Sequence, residues 1–143
     1  MNRAVLDASI VVKLFFEEDH SEAAERCVRT IPELLAPDLI WIEATNVIWK
    51  RGRRGDLAPN DAAEIAARLF ELPLRIHESA DLIADALRLA IQFDRTVYDG
   101  LYVALAVKTQ SVMISGDRRL ANALADTPFG ETVAWIGDER LAE

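Results

Sequence analysis

Four acidic residues stand where they could share chemistry. Asp7 follows the apolar run Ala4-Val5-Leu6, and Asp117 comes two residues after Val112-Met113-Ile114-Ser115. Asp99 opens the apolar segment Gly100-Leu101-Tyr102-Val103-Ala104-Leu105, and Glu43 lies among Trp41, Ile42, Ala44 and Val47. Each has a plain structural explanation when taken alone. Asp7 and Asp117 are good helix N-caps that suit the helix dipole, and Asp99 can cap as well. Glu43 can extend to water along an apolar surface. Together they point further. An acid at the start of so apolar a helix is partly desolvated, and four carboxylates in one cleft cannot all stay ionised in contact without counter-charge. Divalent cations supply that charge, and an oxygen-only donor set suits Mg²⁺ or Mn²⁺. Such an ion lowers the pKa of bound water and stabilises a phosphoryl transition state.

The elements that must position these acids follow from the hydrophobic pattern. Short apolar runs predict strands over residues 3–7, 34–37, 74–77, 112–115 and 132–136. Helical patterns fall between them, over 9–18, 19–29, 38–50, 60–71, 79–92 and 98–108, with a short helix after Asp117. Asp38 and Ser79 are the expected caps of two of them, and Asp19 or Ser21 of a third. Strands alternating with helices predict a three-layer α/β/α fold around a mainly parallel sheet of about five strands. No linker or internal repeat interrupts the pattern, so residues 1–143 are expected to form one domain. A sheet of this kind places its ligand at the carboxyl ends of the strands, near the switch in strand order. Asp7 and Asp117 fall there.

Composition narrows the classes. The apolar share is 51%, with only six glycines and five prolines, which excludes collagen-like and disordered chains. A formal net charge of −8 argues against non-specific duplex binding, because phosphates repel it. Metal ions in an acidic cleft would remove that objection by bridging it to a phosphodiester. A single cysteine, Cys27, excludes an intrachain disulfide and a CxxC zinc site, and two histidines make no histidine-rich one. No apolar stretch approaches the ~18 residues of a membrane span, and a cytoplasmic location is expected.

At this point a family pattern emerges. Val5-Leu6-Asp7-Ala8-Ser9, the acid in Trp41-Ile42-Glu43-Ala44, Thr96-Val97-Tyr98-Asp99-Gly100-Leu101-Tyr102 and Ile114-Ser115-Gly116-Asp117-Arg118-Arg119-Leu120 resemble the PIN-domain nucleases. The length and the Val97-to-Tyr102 segment resemble the VapC ribonuclease toxins of toxin–antitoxin pairs. The likeness runs from Val5 to Ile136, and its specificity lies in the order and spacing of the motifs together. It implies that Asp7, Glu43, Asp99 and Asp117 are the acidic quartet that holds Mg²⁺ or Mn²⁺ and cleaves RNA with metal-activated water. It implies a supporting hydroxyl at Ser9. Ser115 stands where the family often has Thr, and Gly116 replaces a common Ala, a change expected to loosen that turn.

Charged and apolar features remain. Lys50, Arg51, Arg53 and Arg54 end the long helix; they are either a solvated helix end or an RNA-backbone contact. Arg118 and Arg119 either touch a phosphate or face solvent. The segment with Ile10, Val11, Val12, Leu14, Phe15 and Phe16 is apolar almost all round, which suggests packing on two sides or a partner. The resemblance implies a VapB-like antitoxin docking near this helix, with Val11, Leu14 and Phe15 as candidate contacts, and a homodimer or a larger toxin–antitoxin complex. Rival readings are a PIN nuclease of RNA processing, a non-catalytic interaction module and an aspartyl-phosphate enzyme. The last wants a second acid two residues after Asp7, where Ser9 stands.

Overall fold

The computed structural model describes residues 1–142. Its elements run in the order β1 (Arg3–Leu6), α1 (Ala8–Val12), α2 (Ser21–Thr30), β2 (Glu33–Pro37), α3 (Leu39–Arg53), α4 (Pro59–Leu69), β3 (Leu74–His77), α5 (Ile83–Phe93), α6 (Val97–Lys108), β4 (Val112–Ser115), α7 (Arg118–Leu124) and β5 (Val133–Trp135). The strands form one sheet in the order β3-β2-β1-β4-β5. Every pairing is parallel, with Val5 beside Leu35 on one side and Met113 on the other. The expected α/β sheet of about five strands is therefore present, and it is wholly parallel.

Period-two alternation divides the strand side chains between two buried faces. Val5, Leu35, Met113 and Val133 enter one core layer with residues of α3, α6 and α7. Ala4, Leu6, Leu34 and Ile114 enter the other, covered by Ala24 and Cys27 of α2. Strands buried on both faces read as continuous apolar runs, which is why the sequence showed them. Helix α6 is buried from Gly100 to Ala106. A side chain at Gly100 would run into the Ala86 carbonyl, so glycine lets α6 lie directly on α5. Chain order moves outward from β1 to β2 and β3, then returns to the other side of β1 for β4 and β5. The switch in strand order thus lies between β1 and β4, where parallel sheets of this kind open a crevice.

Three local expectations are corrected. The first helix ends at Val12 instead of continuing to residue 18. Lys13, Leu14 and Phe15 donate to carbonyls three residues back, which tightens the chain into a turn. Ser21 then fixes the exit, accepting from the Glu18 N–H at 3.0 Å and donating to the Phe16 carbonyl at 3.1 Å. The helix expected over 79–92 is a short 3₁₀ turn at Ser79–Asp81 followed by α5. Asp38 does not cap α3; its carboxylate reaches across to Ser79, accepting from that backbone N–H at 3.1 Å. A side chain shared between two segments is invisible to a local capping rule.

Candidate active site

Asp7 leaves the end of β1 without capping the helix that follows. Its Oδ2 accepts hydrogen bonds from Ser115 Oγ at 2.7 Å and Ser9 Oγ at 3.1 Å. The same two hydroxyls hold the turn after β4: Ser115 accepts from the Asp117 N–H at 3.0 Å within that turn, and Ser9 accepts from the Gly116 N–H at 2.8 Å across from β1. Ser9 and Ser115 therefore orient Asp7 and join the ends of β1 and β4. A Cβ at Gly116 would come within 3.1 Å of Ser9 Oγ, so this glycine gives the contact room and the turn is held tightly.

Asp117 does cap its helix, with Oδ1 accepting from the N–H of Arg119 at 2.9 Å and Leu120 at 3.4 Å. Its second oxygen is free of that duty. Helix α6 is capped by Thr96, which accepts from the Asp99 N–H at 3.1 Å and leaves the Asp99 carboxylate available. Glu43, from α3, accepts from the Tyr102 hydroxyl at 2.6 Å. The bland capping explanation holds for Asp117 and fails for Asp7 and Asp99.

The electrostatics bring the four acids into one neighbourhood. Burial pushes the carboxyl groups of Asp7, Glu43 and Asp99 above their ordinary values. Repulsion adds to this: Asp99 acts on Asp7, Asp7 and Asp99 act on Glu43, and Asp117 acts on Asp99. Tyr102, 1% exposed, is pushed up by burial and then by the charges of Asp7 and Glu43, so it stays a hydroxyl donor.

Sequence reasoning missed two residues of this site. Tyr102 lies three residues beyond Asp99 on α6, a spacing that puts both on one helix face. Arg95 donates from Nε to Asp99 Oδ2 at 3.2 Å and from Nη2 to Asp117 Oδ2 at 3.1 Å. The four-residue spacing of Arg95 and Asp99 was a readable signal; the contact with Asp117 was not. Among the described residues, no three Asp, Glu, His or Cys side chains are arranged to hold a metal ion as they stand.

The remaining candidates separate into exposed and committed groups. Lys50 and Arg119 are exposed. Arg51 pairs with Glu18, beside Lys13 at 3.2 Å from the same acid, and its guanidinium lies 4.4 Å from the Phe16 ring centre. Arg118 lies 4.6 Å from the Trp135 ring centre. Val11 is 0% exposed and belongs to the core, so it cannot touch a partner. A helix of one turn wedged between two core layers buries its whole circumference, which accounts for the apolar pattern. Leu14 and Phe15, in the turn beyond, are half-buried and line a groove of about 370 Å³ with Val28, Arg68 and Leu72.

Acids gathered at the strand-order switch of a five-stranded parallel sheet define a class. The chain belongs to the PIN-domain family, whose pattern matches residues 4–124. Its kinship is with the VapC-type members. It is 40% identical over 121 residues to Ribonuclease VapC3 of Pyrobaculum aerophilum, covering 83% of this chain and 92% of that protein. The crystal structure of PAE2754 from Pyrobaculum aerophilum superposes with a TM-score of 0.72 at 21% identity, over 98% of this chain and 95% of the other. A chain of a toxin–antitoxin complex from Klebsiella pneumoniae gives 0.65 at 16% identity, over 94% and 98%. The two structural likenesses establish the fold.

Proposed function

We propose that this chain is a metal-dependent endoribonuclease that acts as the toxin of a toxin–antitoxin pair. The observation that carries the reading is a convergence of Asp7, Glu43 and Asp99, whose carboxyl values burial raises, with Asp117, and Arg95 as the cation in contact with Asp99 and Asp117. The ribonuclease name of the 40% identical relative supports it. The donor set fits Mg²⁺, with Mn²⁺ as a substitute: it is all oxygen, acidic and short of counter-charge. When bound, such an ion supplies hydroxide at neutral pH and charge stabilisation at phosphorus. Ser9 and Ser115 fix the Asp7 carboxylate in advance, and Tyr102 fixes that of Glu43. Lys50, Arg118 and Arg119 supply positive charge for an RNA backbone. Arg51 is better read as a brace between α3 and Glu18.

In-line attack by water predicts products with a 5′-phosphate and a 3′-hydroxyl. The groove at Leu14 and Phe15 is the proposed seat of a VapB-like antitoxin segment. Exposed Ile83, Leu87 and Ile91, each four residues apart on α5, are the proposed homodimer contact. Such a protein would act in the cytoplasm; among the described residues, no helix is long and apolar enough to cross a membrane.

The test is cleavage of total cellular RNA by the purified chain with Mg²⁺, with Mn²⁺ and with EDTA, beside Asp7→Ala. Discrete fragments that need both metal and Asp7 are expected. Cleavage that survives EDTA, or 2′,3′-cyclic phosphate ends, would overturn the reading, since the latter mean attack by the RNA's own hydroxyl.

A further inference from the structure

Arg95 reaches the acidic site by a rigid route. Helix α5 ends with Asp94 in the left-handed region at φ 52°, and the Arg95 N–H returns to the Ala90 carbonyl at 3.1 Å. The next residue, Thr96, already caps α6. The backbone of Arg95 is thus pinned between two helices that pack closely on each other. Its side chain is 26% exposed and lies against two different carboxylates, one from α6 and one from the turn before α7. A guanidinium stays charged at any pH a protein survives. It occupies the space between Asp99 and Asp117, where two carboxylates with no other cation would repel.

We propose that Arg95 is a tethered counter-ion that competes with the divalent cation for Asp99 and Asp117. The inference rests on the metal reading given above. It explains one observation that reading leaves open: four acids share a neighbourhood, yet no three of them are arranged around one point. The guanidinium holds Oδ2 of two of the four, and an ion that takes those oxygens must displace it. Arg95 then sets the metal concentration at which the site fills. It also keeps Asp99 and Asp117 together in the metal-free protein, where their repulsion would otherwise push α6 and α7 apart. It is a positioning residue, acting through the two acids.

The experiment is calorimetric titration of the metal-free full chain with Mn²⁺. Wild type is compared with Arg95→Ala, with Arg95→Gln, which keeps most of the stem and loses the charge, and with Arg95→Lys, which keeps the charge without the fork. Loss of two charge-assisted contacts predicts about tenfold tighter Mn²⁺ binding in the first two variants, and a smaller change in Arg95→Lys. Arg88→Gln removes a charge whose partner is Asp85 instead of a site acid, and should leave the affinity unchanged. In thermal melts the metal-free Arg95→Gln protein should melt lower than wild type and gain more from saturating Mn²⁺. Unchanged or weaker Mn²⁺ binding by both uncharged variants would overturn the inference while leaving the metal reading in place. Equal tightening in Arg88→Gln would overturn it as well, by exposing a general field effect. Failure of every protein to bind Mn²⁺ would remove the metal reading and the inference together.

Discussion

At the start of β2, Glu33 lies between Arg3 and Arg75, each 2.7 Å from one of its oxygens. At the ends of β1 and β4, Asp7, Glu43, Asp99 and Asp117 share one neighbourhood, and the guanidinium of Arg95 touches two of them. The consequences have opposite sign. Hydrogen bonds from its two arginines hold the Glu33 carboxyl below its ordinary value. Burial and mutual repulsion hold Asp7, Glu43 and Asp99 above theirs. One acid with two cations is a fastening across neighbouring strands. Four acids with one cation in contact, among the described residues, are an excess of negative charge that a bound cation would relieve.

The largest expected effect comes from removing a charge at the acidic end. Asp7→Asn should lower cleavage on the order of a thousandfold, because it deletes a proposed metal donor while keeping the side chain's shape. Its stability should move the other way. An acid whose folded value is raised favours the folded state only while it is protonated. That contribution is full below the ordinary value of 3.8 and is lost as pH rises through the raised folded value. Above that raised value the charged Asp7 destabilises the metal-free fold, and Asp7→Asn should melt no lower than wild type. Thermal melts at neutral pH without metal, beside single-turnover cleavage with it, check both halves. A variant that loses activity by unfolding would make Asp7 a structural acid like Glu33 and erase the contrast.

A smaller effect sharpens the comparison by leaving every acid in place. Ser115 is 0% exposed and serves both sides of the crevice, donating to Asp7 and accepting from the Asp117 N–H. Ser115→Ala removes a group that lowers the Asp7 value, so Asp7 should titrate higher still. We expect roughly a tenfold loss of cleavage at neutral pH, with the acidic limb of the pH–rate profile moved to higher pH. Ser115→Thr should restore most of the activity. Loss of rate with no movement of the limb would mean that Ser115 acts only by packing.

The acidic end of this contrast was readable before the fold; the Glu33 fastening was not. Asp7 and Asp117 stand at the ends of apolar runs, and a parallel sheet sends such positions to its carboxyl edge. Asp99 was marked by the apolar helix that follows it. What the residues could not show was which partners each acid meets. Arg95 reaches Asp117 across 22 residues of chain, and Asp38 reaches Ser79 across 41. Neither contact leaves a local pattern. Val11 failed for a related reason. An all-round apolar segment looks the same whether its second face meets a partner or the far side of its own core, and here it meets the core. The end of α1 was equally hidden, because composition alone did not reveal the turn at Lys13 to Phe15.

The smallest effect belongs to the opposite end of the sheet. Glu33→Gln leaves Arg3 and Arg75 near each other without their shared acid, and it should not touch cleavage at all. Because the Glu33 value is lowered, its contribution to stability is present above the ordinary 4.5 and is lost as pH falls through the lowered folded value. The variant should therefore melt slightly below wild type at neutral pH, and the gap should close under strongly acidic conditions. Arg3 and Arg75 are 43% and 70% exposed, so the pair is open to ionic screening. Melting both proteins at low and high salt gives the decisive reading. A gap that shrinks with salt marks a surface fastening held by charge. A gap that salt leaves alone would mean that Glu33 contributes through its packing, and the difference between the two ends of the sheet would then be one of burial instead of charge balance.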